Sequence, residues 1–361
     1  MSIQKDLQKS GITVISELDS LIKNDIIKNV SRRIIETFPD YELNEEDLIN
    51  KLSKLKMYRA KMIEGMAEAN YYYKNSSIYF NEHIEFEDLE EFAIHECIHY
   101  LQEQKDENNN LLKMGLCTYK NKKTLGLSLN EAAVQYTASM IIGIEPDFEK
   151  YYNITLYTPS PAYYPLECSL LNEILYFTGK DTLFKSTLFS TDDFKNSICK
   201  MSSEKIYGKI ENIFDEILKL EENIIKLNNK ISILEDGNTK IDKINKKISK
   251  TKQKIASDFM EVQNTIIENF FNYEFSQIQN LEQLENLRYR LYKFSDIIGA
   301  TSDYKFFDNY YALMMNKLEH KYNILENGGT ETALESKSYN VIIEFFKKIF
   351  RIKPKSIKLE N

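Results

Sequence analysis

The residues best suited to chemistry lie in one short stretch, His95-Glu96-Cys97-Ile98-His99, which holds two of the chain's four histidines. On a helix, side chains four positions apart project from one face, so His95 and His99 can reach the same ion. Zn²⁺ binds such imidazole nitrogens at about 2.0–2.1 Å. Glu96 lies one position along, where its carboxylate flanks the ion as a general base for zinc-bound water. The stretch therefore predicts a catalytic zinc site, and a pair of metal-free histidines is the less favoured alternative.

A second motif, Leu129-Asn130-Glu131-Ala132-Ala133, opens the next strongly helical stretch. With both motifs in this order, the chain resembles the gluzincin group of metallopeptidases, the thermolysin-like clan. Those proteins carry HExxH on one helix and an Asn-Glu-containing motif on the next. The resemblance covers about residues 57–143. It implies that Glu131 is the third zinc ligand, through one carboxylate oxygen, and that the fold around the site is zincin-like.

The second motif allows an alternative interpretation, and it is followed by a departure from the family pattern. Ser128-Leu129-Asn130-Glu131 also fits a capping box, in which Ser128 and Glu131 would close the start of the helix. The ligand interpretation is favoured, and one side chain cannot comfortably do both. At Gln135, where the family often has an acid, the amide carbonyl can still accept a hydrogen bond from a ligand histidine, but without charge.

The resemblance also implies a mechanism for hydrolysis of a peptide bond. Glu96 would take a proton from the zinc-bound water and pass it to the leaving amine. Tyr163 or Tyr164 could stabilise the oxyanion, and the sequence does not choose between them. The strand Ser77–Asn81 is expected to lie beside the cleft, antiparallel to bound substrate.

The elements that must position these residues can be read from periodicity. Helical spacing predicts helices over residues 12–36, 85–104, 128–142 and 166–177. Three short stretches, separated by Gly65 and by Lys74-Asn75-Ser76, predict a small antiparallel sheet; they are Met57–Glu64, Ala69–Tyr73 and Ser77–Asn81. The fold class is therefore α+β, with a zincin-like catalytic domain over residues 1–200. A loop is expected between the motif helices.

Residues 201–326 are predicted to be mostly helical and coiled-coil-like. Between residues 206 and 266, isoleucine and leucine recur in steps of three and four, and a turn is expected at Gly237. This pattern predicts an antiparallel helical hairpin. Either it extends as a rod that binds a protein partner or self-associates, or it packs back on the catalytic domain; the sequence leaves both open.

Residues 327–361 are predicted to be a linker and a basic amphipathic tail. Its apolar positions alternate with lysines and arginines, as in helices that lie on anionic membranes. Docking of the tail on its own domain is the commoner arrangement and is favoured here.

The overall composition narrows the classes of function. A net charge of −8 argues against nucleic acid as a partner. No apolar run approaches the roughly 20 residues of a membrane span, and the polar start has no secretory signal, so we expect a cytoplasmic protein. The four cysteines form no CxxC pair and are expected to be free thiols, Cys97 among them as a small buried apolar residue.

The function expected from the sequence is thus a zinc-dependent metallopeptidase with a peptide or protein substrate. Its site comprises His95, His99 and Glu131 on Zn²⁺ and Glu96 as the catalytic base. The alternative is a coiled-coil protein-binding module with a structural or vestigial zinc site. A third possibility is a related site that hydrolyses something other than a peptide.

Overall fold

In the part of the chain that the structure describes, helices dominate and three small β-sheets lie before residue 160. The computed structural model describes residues 3–63, 67–107, 110–120, 123–234, 239–300 and 305–326. The predicted tail at 327–361 and the predicted turn at Gly237 lie outside these residues. The α+β class is confirmed.

The helices have the following bounds: α1 Ile3–Lys9, α2 Ser20–Thr37, α3 Glu45–Leu52, α4 Leu89–Leu101, α5 Leu127–Ile142, α6 Pro165–Thr178, α7 Lys180–Phe189, α8 Asp193–Met201, α9 Glu204–Ser232, α10 Thr239–Ser276, α11 Leu281–Phe294 and α12 Phe306–Glu326. The strands are β1 Ile12–Glu17, β2 Lys56–Met62, β3 Ala69–Tyr72, β4 Ser77–Asn81, β5 Glu103–Lys105, β6 Leu111–Met114, β7 Cys117–Lys120, β8 Lys123–Leu125, β9 Asp147–Tyr151 and β10 Ile154–Thr158.

The predicted helix over residues 12–36 was wrong in its first third, because β1 occupies Ile12–Glu17. This segment is a run of β-branched residues, which lose side-chain freedom in a helix and fit a pleated strand. The helix that follows begins only after Asp19, whose carboxylate accepts a hydrogen bond from the Leu21 N–H at 2.8 Å. Such a cap fixes the start of α2.

The three strands predicted over residues 57–82 are present, but their pairing differs from the prediction. The sheet has the order β1-β2-β4-β3, in which β2 and β4 run parallel and the other pairs antiparallel. The sheet is therefore mixed rather than antiparallel, because β2 and β4 pair in parallel, and β1 is an additional strand that was not predicted. Since β4 pairs on both sides and all five of its residues are buried, Ser77–Asn81 cannot pair with a substrate. The strand at the edge on this side is β3.

Two further sheets were not predicted, and the first of them lies where a loop was expected. Strands β5 to β8 form a meander between α4 and α5, and β9 and β10 form a hairpin. The hairpin turns at Tyr152 and Asn153, which both have positive φ, 49° and 67°. That backbone matches the twist of a two-residue hairpin turn. Strands β5 to β8 have only three or four residues each, which is too few for an alternation of apolar and polar residues to predict them.

The main hydrophobic core is built around α4, α5 and α6 and extends into α9 and α10. Lys209 near the start of α9 pairs with Glu261 in the second half of α10 at 3.0 Å, so these helices run antiparallel. Their apolar faces include Ile210, Phe214 and Phe259, which are fully buried in this core. Of the two arrangements left open by the sequence, packing back on the rest of the chain is the one observed.

A second hydrophobic cluster joins the end of α10 to α11 and α12. The main core contains residues from both sides of residue 200, and the division of the chain there into domains stays a prediction. The four cysteines are free, and Cys97 is buried as expected. Among the described helices, none combines the length and the apolar character that crossing a membrane requires.

Candidate metal centre

The site lies where α4 and α5 pack together. Helix α4 contributes His95, Glu96 and His99, and α5 contributes Glu131. The residues after Glu131 are Ala132 and Ala133, both fully buried. Small side chains let two helix backbones approach closely, which brings a carboxylate from one helix within reach of two imidazoles on the other.

The three predicted ligands meet at nearly equal distances. The Nε2 atoms of His95 and His99 are 3.1 Å apart, and each lies 3.4 Å from Oε2 of Glu131. Ligands at about 2.0–2.1 Å from a tetrahedral Zn²⁺ lie about 3.3–3.4 Å from one another. The triangle therefore has the size of one face of such a tetrahedron. Both the donor types and their spacing fit a metal ion.

The orientation of His95 is set by a second residue of α5. Oε1 of Gln135 lies 2.9 Å from Nδ1 of His95, and the amide nitrogen of Gln135 donates to Oγ of Ser139 at 3.3 Å. This amide orientation makes Nδ1 the protonated nitrogen of His95 and leaves its Nε2 lone pair directed at the centre. The acceptor role predicted for Gln135 is what the geometry provides.

The charges at the centre depend on one another. Burial by itself would raise the pKa of Glu131, but His99 and His95 outweigh it and lower that pKa below its ordinary value. Burial lowers the pKa of His99, yet the charge of Glu131 and a weaker contribution from Glu96 raise it to about 9. A carboxylate that remains charged away from water indicates a place for positive charge.

Glu96 is buried beside these three residues, but it is not one of the three candidate ligands. Burial raises its pKa, and the two histidines partly offset this effect. A hydrogen bond from the Tyr71 backbone also favours the charged form of Glu96. A base whose pKa lies above the ordinary carboxyl value is better suited to accept a proton near neutral pH.

Of the two tyrosines considered from the sequence, Tyr164 lies at the centre. Its ring stacks on His95 with centroids 6.3 Å apart, and burial together with the nearby charges of Glu131 and Glu96 raises the pKa of its hydroxyl. It caps α6 with a positive φ of 50°, a conformation that costs energy in a non-glycine residue. Tyr163 instead packs edge-on against Phe92.

The edge strand β3 runs beside α4, and it is the strand next to the site. Tyr71 belongs to β3, and its hydroxyl donates to Glu103 at 2.7 Å. Strand β3, rather than Ser77–Asn81, is therefore the edge strand beside the helix that carries His95 and His99.

The start of α5 is not closed by the capping box considered from the sequence. Helix α5 begins after Gly126, Ser128 lies inside it, and the Ser128 hydroxyl is buried without a partner in the described structure. The carboxylate of Asp215 on α9 accepts hydrogen bonds from the N–H groups of Gly126 and Ser128 instead. Glu131 is thus free of a capping role. Sequence reasoning missed Asp215, because no local pattern links it to α5.

A pair of amides also joins α4 to α5 and was not predicted. Gln102, which follows α4, and Asn130 on α5 exchange two hydrogen bonds of 3.3 Å between their side chains. Asn130 additionally accepts from the Leu116 N–H at 2.9 Å. Both side chains are fully buried or nearly so, so this pair fixes the spacing of the two motif helices next to the ligands.

Comparisons with models of known protein families, with curated proteins and with solved structures find no match to this chain.

Proposed function

We propose that the protein is a zinc-dependent metallopeptidase of the gluzincin type, with a zincin-like catalytic part. The observation that carries the proposal is the triangle of His95, His99 and Glu131, at 3.1–3.4 Å, with Glu96 buried beside it. Three protein ligands with an open fourth position are typical of catalytic zinc, whereas structural zinc has four protein ligands. Within the described residues, the metal-binding group comprises these three alone, which favours the enzyme over a structural or vestigial site.

The residues of the chain have separate tasks in the proposed reaction. Zinc, when bound, would polarise the scissile carbonyl and lower the pKa of water. Glu96 accepts the proton of the attacking water and delivers it to the leaving amine. Gln135 holds His95 in the tautomer that leaves Nε2 available. Tyr164, whose ring stacks on His95, supplies the hydroxyl that we propose as the donor to a developing oxyanion.

The proposal assigns the edge of β3 to the substrate. An extended peptide can add to a sheet edge through main-chain hydrogen bonds. Strand β3 is the edge next to α4, so a peptide paired with it would run past the metal centre. A peptide is therefore the substrate class that this arrangement favours.

The test combines metal analysis with a matched pair of substitutions on α4. We expect about one zinc per chain, loss of peptide cleavage on chelation, and recovery on adding zinc. Glu96→Gln should retain zinc and lose about 10²–10⁴-fold in turnover of a fluorogenic peptide library, because the base is removed without removing a ligand.

Glu91→Gln is the matched control, since Glu91 is exposed one turn before His95 on the same helix. It should cleave like the wild type. Unimpaired cleavage by Glu96→Gln, or a wild-type protein that takes up no zinc, would refute the proposed function.

A further inference from the structure

Helix α5 supplies two residues of the metal centre, the ligand Glu131 and the residue Gln135 that orients His95. One residue of a helix corresponds to about 1.5 Å along its axis and about 100° around it. A small shift or rotation of α5 would therefore move both side chains relative to α4. What holds the start of α5 in place accordingly affects the ligand geometry.

The residue at the N-cap position of α5 has no side chain that could cap the helix. The cap position is Gly126, which has a φ of 72° and no side chain. Glycine suits this left-handed conformation, but it leaves the first N–H groups of the helix without a local acceptor.

The acceptor comes from α9, far along the chain. The two carboxylate oxygens of Asp215 accept from the N–H of Gly126 at 3.2 Å and from the N–H of Ser128 at 2.9 Å. A carboxylate at this end of a helix also interacts favourably with the helix dipole. One turn earlier on α9, Glu211 lies so near Gly126 that a Cβ there would come within 2.6 Å of its Oε1.

We propose that Asp215 is a positioning residue for the metal centre, so that α9 sets the metal affinity of ligands carried by α4 and α5. The inference rests on the proposed function only in requiring that the centre bind zinc. Asp215 does not touch the ligands. It fixes the first turn of α5 and thereby the positions of Glu131 and Gln135. The competing interpretation is that Asp215 contributes to overall stability alone.

The experiment measures zinc affinity in the full chain by competition with a chelating indicator, at a temperature where every variant is folded by circular dichroism. We expect Asp215→Ala to bind zinc about 10–100-fold more weakly, the effect typical of residues that support metal ligands. Asp215→Asn keeps one oxygen acceptor for the Ser128 N–H but loses the charge, so its affinity should lie between those of the alanine variant and the wild type. This milder variant keeps the test decisive if Asp215→Ala does not fold.

Two controls separate positioning from stability. Glu216→Ala removes the same charge from the next residue of α9, which is exposed and pairs with Lys219; its zinc affinity should equal that of the wild type. Leu318→Ala opens a cavity in the second hydrophobic cluster and should lower stability without changing zinc affinity.

Wild-type zinc affinity in both Asp215 variants would overturn the inference. So would a loss in Leu318→Ala as large as that in Asp215→Ala. If the wild type itself binds no zinc, the proposed function fails, and that result is distinct from a failure confined to Asp215.

Discussion

Buried carboxyl groups in two regions of this protein have pKa values that are shifted in opposite directions. At the metal centre, Glu131 faces His95 and His99, and its pKa is lowered although burial alone would raise it. Glu173, within the sequence of α6, is fully buried, and burial raises its pKa to about 8. Its Oε1 accepts only from neutral donors, the Gln263 amide at 2.8 Å and a backbone N–H at 3.3 Å.

Glu167, also on α6, strengthens the contrast. It is fully buried, its pKa is raised by burial, and the neighbouring Glu221 raises it further. Burial therefore raises the pKa of a carboxyl group unless nearby positive charge outweighs it. Glu131 thus lies beside two histidines that can carry positive charge, whereas the two glutamates of α6 have no such neighbour among the causes of their shifts, and this difference is consistent with a cation site at Glu131.

The same substitution in the two regions should have very different effects on metal binding. Glu131→Gln removes an anionic ligand, so we expect zinc affinity to fall by more than about 100-fold, beyond the usual effect of a supporting residue. Glu173→Gln is the matched control and should bind zinc like the wild type. Competition titration with a chelating indicator measures both. Equal zinc affinities in the two variants would mean that the two regions do not differ in metal binding and that Glu131 is not the third ligand.

Removing the hydrogen bond between Gln135 and His95 should have a smaller effect on zinc affinity. Gln135→Leu leaves Nδ1 of His95 without its acceptor, so zinc affinity should fall by about 10–100-fold. Gln135→Glu supplies a charged acceptor and should keep the affinity at or above that of the wild type. The same titration distinguishes the two variants. A leucine variant that binds as tightly as the wild type would show that the hydrogen bond to Gln135 does not matter for the metal.

The parts of this site that the sequence predicted are those determined locally. His95 and His99 share a face because they are four residues apart on one helix, and Glu131 lies near the start of the next helix along the chain. What the sequence did not give depends on distant segments. Strand β4 (Ser77–Asn81) pairs with β2 as well as β3, which makes it an interior strand, and Asp215 reaches α5 from 87 residues beyond Ser128. Neither pairing leaves a periodic pattern in the chain.

The smallest expected effect is on the free energy of unfolding. It tests whether Glu173 on α6 has a raised pKa in the folded protein. The ordinary pKa of a glutamate is 4.5, and that of Glu173 in the folded protein is raised to about 8. Between these values the unfolded chain has lost the proton that the folded protein keeps, so the stability contributed by Glu173 is full below pH 4.5 and declines as the pH rises towards 8.

Glutamine cannot ionise and still offers an oxygen to the donors that Glu173 accepts from. However, the position of Oε2 is buried without a partner in the described structure, so the amide NH₂ placed there would be unsatisfied. We therefore expect Glu173→Gln to be slightly less stable than the wild type at pH 4.5 and more stable at pH 9, by roughly 1–3 kcal/mol.

Urea unfolding at pH 4.5, 7 and 9 measures the difference, and Glu216→Gln, at an exposed position, should show no such trend. A constant difference between Glu173→Gln and the wild type at all three values would mean that Glu173 is charged in the folded protein. The contrast with Glu131 would then be lost, because burial without a cation would not have neutralised the carboxyl group.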